Sequence, residues 1–274
     1  MHEHEHEHEH EHAPPVGPVA RRLELRWHRS APRPAPADPT APAADTPTFL
    51  LVHGVGLSHR SLSRLAAALR PHGEVLAPDL PGHGRSPRPH RRLSIGDVAE
   101  AVGDGLARRR RDSGPVVAVG HSLGAQVVVD LAVARPDLVD AVVLVAPVVD
   151  PIAPSLGRQA WRLVRDFVVE PPRTAVMVAR DVVRCGPVGY AGGVRSMLAH
   201  PTADRLAAVA QPVVVVRGSH DLVAPARWAQ EARVTTGGGP VHEVAGGGHD
   251  VVHSHPAEVG SCVLDALRVL GRRD

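Results

Sequence analysis

Short apolar runs alternate with longer amphipathic segments along most of the chain. Apolar, β-branched runs predict strands over 48–53, 74–78, 115–120, 139–146, 212–218 and 240–245. Helical periodicity predicts helices over 58–70, 94–111, 122–134, 225–235 and 256–271. Strands that alternate with helices in this way are typical of crossover units. The pattern therefore predicts an α/β protein with a mainly parallel, doubly wound sheet and helices on both faces.

Two regions depart from this alternation. Residues 23–28 predict an edge strand, and the Pro- and Ala-rich segment 30–47 predicts an irregular excursion. Between 148 and 206 the strands stop, and two or three amphipathic helical segments follow, separated by Pro171-Pro172 and by Cys185-Gly186-Pro187. The glycine-rich stretch 186–193 is expected to interrupt a helix. We therefore predict a core of 14–147 and 207–274, with a helical insertion over 148–206 between its two parts.

Composition narrows the class of protein. Residues 1–13 are dominated by alternating His and Glu, which is typical of a purification tag, and we expect them to be disordered. The chain carries a net charge of +2, and all its basic residues are Arg, without a basic run interleaved with aromatics. We therefore expect no nucleic-acid partner. The chain has 2 Cys and no apolar stretch of membrane-spanning length. A cytoplasmic protein without cofactor or metal is expected, and a homodimer is left open.

The most informative local sequence is Gly120-His121-Ser122-Leu123-Gly124. The apolar run 115–119 leads directly into it, and the helical pattern 125–132 leads directly out. A turn this tight between strand and helix strains the backbone of its apex residue, and glycines on both sides avoid collisions across the turn. The pattern predicts a nucleophile elbow with Ser122 at the apex. A glycine-rich turn with a buried serine is the alternative.

A serine nucleophile needs a base and an acid that orients the base, and for this elbow they follow in the order acid, then histidine. Asp221 lies just past the β-branched run 212–217, at the carboxyl end of a predicted strand. His249 follows the predicted strand 240–245 through three glycines, which can bring its side chain towards Ser122. We therefore predict a triad of Ser122, Asp221 and His249.

Other residues compete for these roles. His253 and His255 lie close to His249, but the glycine loop that closes the strand end favours His249. Asp150 follows the predicted strand 139–146 and is the main rival of Asp221. Asp250 is less suitable because side chains adjacent in sequence seldom converge.

Taken together, these residues resemble the α/β-hydrolase-fold superfamily, in particular its lidded serine esterases, lipases and C–C hydrolases. The resemblance runs from about residue 48 to the C-terminus and rests on five motifs at strand ends: 53–56, 79–86, the elbow, 218–221, and His249 with 256–258 behind it. It implies that the backbone N–H groups of Val55 and Leu123 form an oxyanion hole. It also implies that 148–206 is a cap over the active site, in which Trp161, Phe167, Met177, Tyr190 and Met197 line a pocket or anchor the cap.

The remaining motif residues have structural interpretations. His53 and Asp79 are expected to hold loops through hydrogen bonds to the backbone. His121 is expected to pack under the elbow. Two sets of arginines, each on one helical face, are expected to be solvated. They are the arginines at 158, 162 and 165 and those at 180 and 184.

The predicted function is a serine hydrolase that cleaves a small or medium carboxylic ester, thioester or lactone through an acyl-enzyme. A C–C bond hydrolase, or an acyltransferase or cyclase, would use the same triad. A non-catalytic binding protein of this fold is the third hypothesis, although it would not need all three groups. Relatives that open epoxides or displace halide use Asp at the apex, and position 122 is Ser.

Overall fold

A computed structural model describes residues 23–32, 46–110, 114–148 and 171–271. The tag, Asp150, Trp161, Phe167 and the arginines at 158, 162 and 165 lie outside the described residues. In the described part of the chain, the helices and strands alternate as the hydrophobic pattern predicts. No helix in that part is long and apolar enough to cross a membrane.

The centre of the fold is a sheet whose seven described strands run in the order β1-β3-β2-β4-β5-β6-β7. Strand β1 is antiparallel to β3, and the other neighbours are parallel. This confirms the α/β, mainly parallel, doubly wound fold. The strands are β1 (Arg26–Ser30), β2 (Thr48–Val52), β3 (Glu74–Asp79), β4 (Val116–His121), β5 (Ala141–Val145), β6 (Val213–Gly218) and β7 (Val241–Val244).

The helices pack on both faces of this sheet. A short 3-10 turn over His59–Leu62 begins the segment predicted as one helix over 58–70, and α2 ends earlier than predicted. The helices are α1 (Ser63–Leu69), α2 (Ile95–Ala107), α3 (Leu123–Ala134), α4 (Pro172–Ala199), α5 (Thr202–Ala207), α6 (Ala226–Thr235), α7 (Val251–Ser254) and α8 (Pro256–Leu270).

Two apolar cores lie on opposite faces of the sheet, because successive side chains of each strand point to opposite sides. On β2, Leu50 belongs to the core that includes α2, α3 and α6, whereas Phe49 and Leu51 belong to the core under α1 and α8. All five residues of β2 are buried. The unbroken apolar runs of the central strands therefore reflect burial on both faces.

One predicted boundary is wrong, and one predicted helix interruption is present but confined to a single residue. The edge strand was expected over 23–28 but lies at Arg26–Ser30, where it pairs with β3 from Asp79 back to Val75. The segment 186–193 was expected to interrupt a helix, and the interruption is present at Gly186, which alone in α4 leaves helical geometry, with φ 72° and ψ 164°. Helix α4 therefore bends at Gly186, with Pro187 just after the bend, and continues through the remaining glycines.

Candidate active site

Ser122 lies at the junction of β4 and α3, in a backbone conformation that L-residues rarely adopt (φ 57°, ψ −121°). A Cβ atom on Gly120 would lie 2.3 Å from the carbonyl oxygen of Gly124. One on Gly124 would lie 2.2 Å from the carbonyl oxygen of Val52. These distances are far below van der Waals contact, so both positions need glycine. The local geometry is that of the predicted elbow.

Asp221 follows the carboxyl end of β6 and is buried. Its Oδ1 accepts hydrogen bonds from the backbone N–H groups of Val223 (2.7 Å) and Ala224 (2.9 Å). Its Oδ2 lies 3.1 Å from Nδ1 of His249. Burial would raise the pKa of Asp221, but His249 and the two backbone donors outweigh it and hold the pKa below its usual range. The carboxyl group is therefore an ionised acceptor for the imidazole.

His249 connects this carboxylate to the elbow. Its Nε2 lies 3.0 Å from Oγ of Ser122, and its own side chain is buried. The loop before it is held by backbone contacts, including the hydrogen bond from the N–H of His220 to the carbonyl of Gly247. Ser122, His249 and Asp221 thus form one continuous hydrogen-bonded line, although they are far apart in sequence.

His121 supports His249 in a way that the sequence did not reveal. Its Nε2 donates a hydrogen bond of 2.9 Å to the backbone carbonyl of His249. Burial, followed by the proximity of His249, lowers the pKa of His121 to about 3. His121 is therefore a neutral imidazole that holds the backbone of His249. This agrees with packing at the elbow and adds a specific contact.

The competing residues point elsewhere. Nδ1 of His253 lies 3.0 Å from Oγ1 of Thr174 in α4, and His255 contacts the neighbouring Ser254. Of the three candidate histidines, His249 is the one whose hydrogen bond to Ser122 is seen within the described residues. The rival acid at position 150 lies outside them.

The candidate oxyanion donors come from two elements, Val55 from the loop after β2 and Leu123 from the elbow itself. Leu123 is the first residue of α3, and Val55 follows β2, which pairs with β4 so that Val52 is opposite Gly120. A Cβ atom on Gly54 would lie 3.0 Å from Cβ of Ser122, so the loop after β2 passes directly beside the serine. Neither N–H of Val55 or Leu123 donates to an acceptor among the described residues. Both can therefore serve a substrate oxygen.

The motif residues His53 and Asp79 hold loops, as predicted. Nε2 of His53 accepts from the N–H of Leu80, and Nδ1 donates to the carbonyl of Gly54. Burial, then the nearby His83, lowers the pKa of His53 to about 3. Asp79 accepts from the backbone N–H groups of His59 and Arg85. These bonds fix the loops after β2 and β3.

Asp79 also belongs to a cluster of three side chains of the types that can bind a metal ion. Ligand atoms of His28, His59 and Asp79 lie within 4.8 Å of one another. Both imidazoles contact the carboxylate, at 3.2 Å for His28 and 2.8 Å for His59. With the two backbone donors, four nitrogen atoms already surround this carboxylate, so we assign it to loop anchoring.

Helix α4 lies against the loop after β2. A Cβ atom on Gly56 would lie 2.7 Å from the ring of Tyr190, and Oγ of Ser58 donates a hydrogen bond of 2.5 Å to Oδ2 of Asp181. Asp181 was not singled out from the sequence. The sequence feature that could have indicated Asp181 is the helical spacing of positions 174, 181 and 185, all of which are buried. Met197 is buried in the core, and its carbonyl accepts from Nε2 of Gln126.

Comparison with known proteins agrees with this fold. The sequence pattern of the alpha/beta hydrolase family matches residues 49–260. An uncharacterized protein of Mycobacterium tuberculosis is 30% identical over 260 residues, which cover 78% of this chain and 73% of that protein. Lipase LipV of the same organism is 43% identical over 113 residues, 40% of each chain. The structure of an esterase from Thermogutta terrifontis is similar at a TM-score of 0.72 with 19% identity, covering 90% of this chain and 94% of that one.

The chain belongs to the alpha/beta hydrolase family, as the match over 49–260 shows. Within that class it is a hydrolase enzyme.

Proposed function

We propose that this protein is a serine hydrolase that cleaves a small or medium carboxylic ester through an acyl-enzyme. The single observation that carries the proposal is the hydrogen-bonded line from Ser122 Oγ through His249 to Asp221. A neutral imidazole between a hydroxyl and a carboxylate is the arrangement that activates serine. The lipase and esterase among the similar proteins support ester chemistry.

In the proposed reaction, Oγ of Ser122 attacks the carbonyl carbon while Nε2 of His249 accepts its proton. The new oxyanion accepts hydrogen bonds from the N–H groups of Val55 and Leu123. His249 then donates the proton to the departing alkoxide, which leaves as the alcohol. A water molecule, deprotonated by His249, then attacks the acyl carbon. The bond from this carbon to Oγ of Ser122 breaks, Oγ regains a proton from His249, and the acid is released. Asp221 keeps the proton-bearing Nδ1 of His249 oriented and stabilises the imidazolium form.

Thioesters and lactones would react by the same steps, since only the leaving group changes. C–C cleavage and acyl transfer would also use the triad, and they differ in the bond broken or in the acceptor. Product analysis with water and with added alcohol acceptors separates hydrolysis from transfer. Ester hydrolysis in water without transfer products is the expected result.

We also propose that 148–206 forms a cap over this site. Helix α4 supplies the support, because Tyr190 covers Gly56 and Asp181 bonds to Ser58, both in the segment that follows Val55. The side chain of Ser122 is buried, with 5% exposure. A cap of this kind excludes water and selects substrates by size.

Ser122→Ala tests the nucleophile. We expect loss of covalent labelling by a fluorophosphonate and a fall in turnover of p-nitrophenyl butyrate by roughly 10⁴ or more. Ser261→Ala, which removes an exposed hydroxyl on α8, is the control and should label like wild type. Full labelling of the Ser122→Ala protein would refute the proposal.

Asp221→Asn and Asp150→Asn test the acid in the same assay. An amide at 221 cannot stabilise the imidazolium, so we expect a loss of roughly 10³- to 10⁴-fold in kcat for Asp221→Asn. Asp150→Asn should change kcat only slightly. A larger loss from Asp150→Asn would move the acid to the segment after β5.

A further inference from the structure

A cavity of about 690 Å³ lies next to the candidate active site. Its walls are the loop after β3, the first turns of α2 and the part of α4 that follows the bend at Gly186. The apolar side chains of Leu80, Ile95 and Val98 line it. Leu123 also lines it, and Leu123 directly follows the candidate nucleophile. The cavity is therefore placed to receive one end of a substrate whose carbonyl lies at Ser122.

The charged residues of this cavity are all basic. Arg88, Arg91, Arg92 and Arg195 line it, and no Asp or Glu is among its described lining residues. We call these four residues the arginine rim. Three of them come from the loop after β3, and the fourth comes from α4, so the charges face the cavity from two separate elements.

Two members of the arginine rim have structural partners. Arg91 forms two hydrogen bonds with Asp97, at 2.6 and 3.2 Å. Arg88 donates to the carbonyl of Cys185 at 3.3 Å, next to the bend of α4. The guanidinium groups of Arg92 and Arg195 make no ion pair with any acidic residue in the described ranges, and both residues are exposed. Their charges are thus available to a ligand.

An exposed arginine is usually solvated and needs no ligand, as we expect for Arg180 and Arg184 on the other part of α4. The arginine rim differs because its arginines line one concave, largely apolar space whose described lining contains no acidic residue. Like charges that converge on a cleft with apolar walls raise the local concentration of anions. A guanidinium group also binds a carboxylate or phosphate with geometric specificity.

We propose that this cavity binds an anionic group of the substrate, so that the preferred ester carries a carboxylate or phosphate several bonds from the scissile carbonyl. The apolar walls contact the connecting chain, and the arginine rim contacts the anion. This inference rests on the proposed ester hydrolysis, because it assigns a substrate class to that same site.

Matched ester pairs test the inference. Monomethyl adipate and methyl hexanoate differ by a carboxylate at the end of the acyl chain. The butyrate esters of 4-hydroxybenzoate and 4-hydroxybenzamide differ by a charge on the leaving group. For at least one pair we expect wild type to have the higher kcat/KM for the anionic member. That preference should fall when the salt concentration rises, because salt screens exposed charges.

Arg92→Gln, Arg195→Gln and the double variant locate the effect. We expect the ratio of kcat/KM for the anionic ester to that for its neutral partner to fall roughly two- to fivefold in each single variant and more in the double variant. Arg180→Gln is the matched control, an exposed arginine of the same helix that does not line the cavity. Its ratio should equal that of wild type.

The outcomes separate this inference from the proposed function. If neutral esters are cleaved and Ser122 is labelled, but the ratio does not respond to the double variant for either pair, the anion site is refuted and the hydrolase stands. An equal fall of this ratio in Arg180→Gln would also refute it. The effect would then come from the overall electrostatic field of the protein and not from the cavity. If neither ester type is cleaved and Ser122 is not labelled, the proposed function itself fails.

Discussion

At the scale of single residues, the histidines of this protein differ in role because their hydrogen-bond partners differ. His53 accepts from Leu80 and donates to Gly54, which defines its neutral tautomer. His121 donates to the carbonyl of His249. Both are buried, and burial is the main reason why the pKa of each is lowered to about 3. His249, by contrast, contacts the hydroxyl of Ser122 and the carboxylate of Asp221.

These two buried histidines predict how stability depends on pH. Their pKa values in the folded protein, about 3, lie below the ordinary value of 6.5, so the unfolded chain binds more protons between these values. The free energy of unfolding should therefore be highest above pH 6.5 and should fall as the pH drops towards 3. The expected slope is roughly 1 kcal/mol per pH unit for each histidine. Urea denaturation at pH 8, 6, 5 and 4 measures it.

His53→Gln separates the contribution of one histidine. The variant lacks one titrating group, so its free energy of unfolding should fall less steeply below pH 6 than that of wild type. His72→Gln replaces an exposed histidine and should keep the wild-type slope. The carboxyl groups of Asp79 and Asp221 have lowered pKa values, so their stabilisation is lost only at more acidic pH. Identical slopes in wild type and His53→Gln would contradict the assignment.

At the scale of elements, the unit that presents the nucleophile is β4, the turn at Ser122 and α3, packed against the end of β2. A Cβ atom on Gly124 would collide with the carbonyl oxygens of both Val52 and His53, at 2.2 and 2.8 Å. The close approach of α3 to β2 therefore depends on this glycine. Because Val55 lies two residues after His53, the same approach sets the distance between the elbow and Val55.

Gly124→Ala should disrupt this unit. The backbone carbonyls that it meets cannot move without shifting β2, so we expect a loss of roughly 2 kcal/mol or more in the free energy of unfolding and strongly reduced labelling of Ser122. Gly96→Ala, in the first turn of α2, is the control, since a Cβ atom on Gly96 would lie in ordinary contact with Oδ2 of Asp130, at 3.6 Å. It should leave stability unchanged or raise it by up to about 1 kcal/mol. Wild-type stability and labelling in Gly124→Ala would show that the approach is looser than described.

At the scale of the whole molecule, the described part of the proposed cap contacts the body on two sides of the candidate site. Before its bend, α4 contacts the segment after β2 through Asp181 and Ser58. After the bend, it forms a wall of the cavity beside Leu123 and is joined to α3 where Gln126 donates to the carbonyl of Met197. The cavity beside the candidate site is therefore built jointly by the loop after β3, the first turns of α2 and the insertion.

Tyr190→Ala should alter which esters fit the candidate site. Loss of the ring above Gly56 enlarges the room near the candidate oxyanion donors, so kcat/KM for a bulky acyl ester should rise relative to the acetate by roughly tenfold. Rates on p-nitrophenyl acetate and p-nitrophenyl pivalate provide the measurement. Val183→Ala, at a position on the same helix that is 79% exposed, is the control and should keep the wild-type preference. An unchanged preference in Tyr190→Ala would argue against α4 as a determinant of specificity.

Much of the fold was determined by sequence features that act locally. Apolar runs buried on both faces predicted the central strands, and the glycines around Ser122 predicted the turn because their sterics involve neighbouring residues. Asp221 and His249 were predicted from their positions after strands, since the carboxyl ends of parallel strands meet at one edge of a sheet. Their catalytic roles stay predictions until the variants are measured.

The tertiary structure decided what depends on partners distant in sequence. The position of β1 is set by its pairing with β3, and the bend of α4 at Gly186 left the following glycines helical. The bonds from His121 to His249 and from Ser58 to Asp181 join residues more than a hundred positions apart. The arginine rim also brings distant residues together, because Arg195 lines the same cavity as Arg88, Arg91 and Arg92. Periodicity and turn chemistry report a residue's neighbours along the chain, whereas these contacts arise only when separate elements pack against each other.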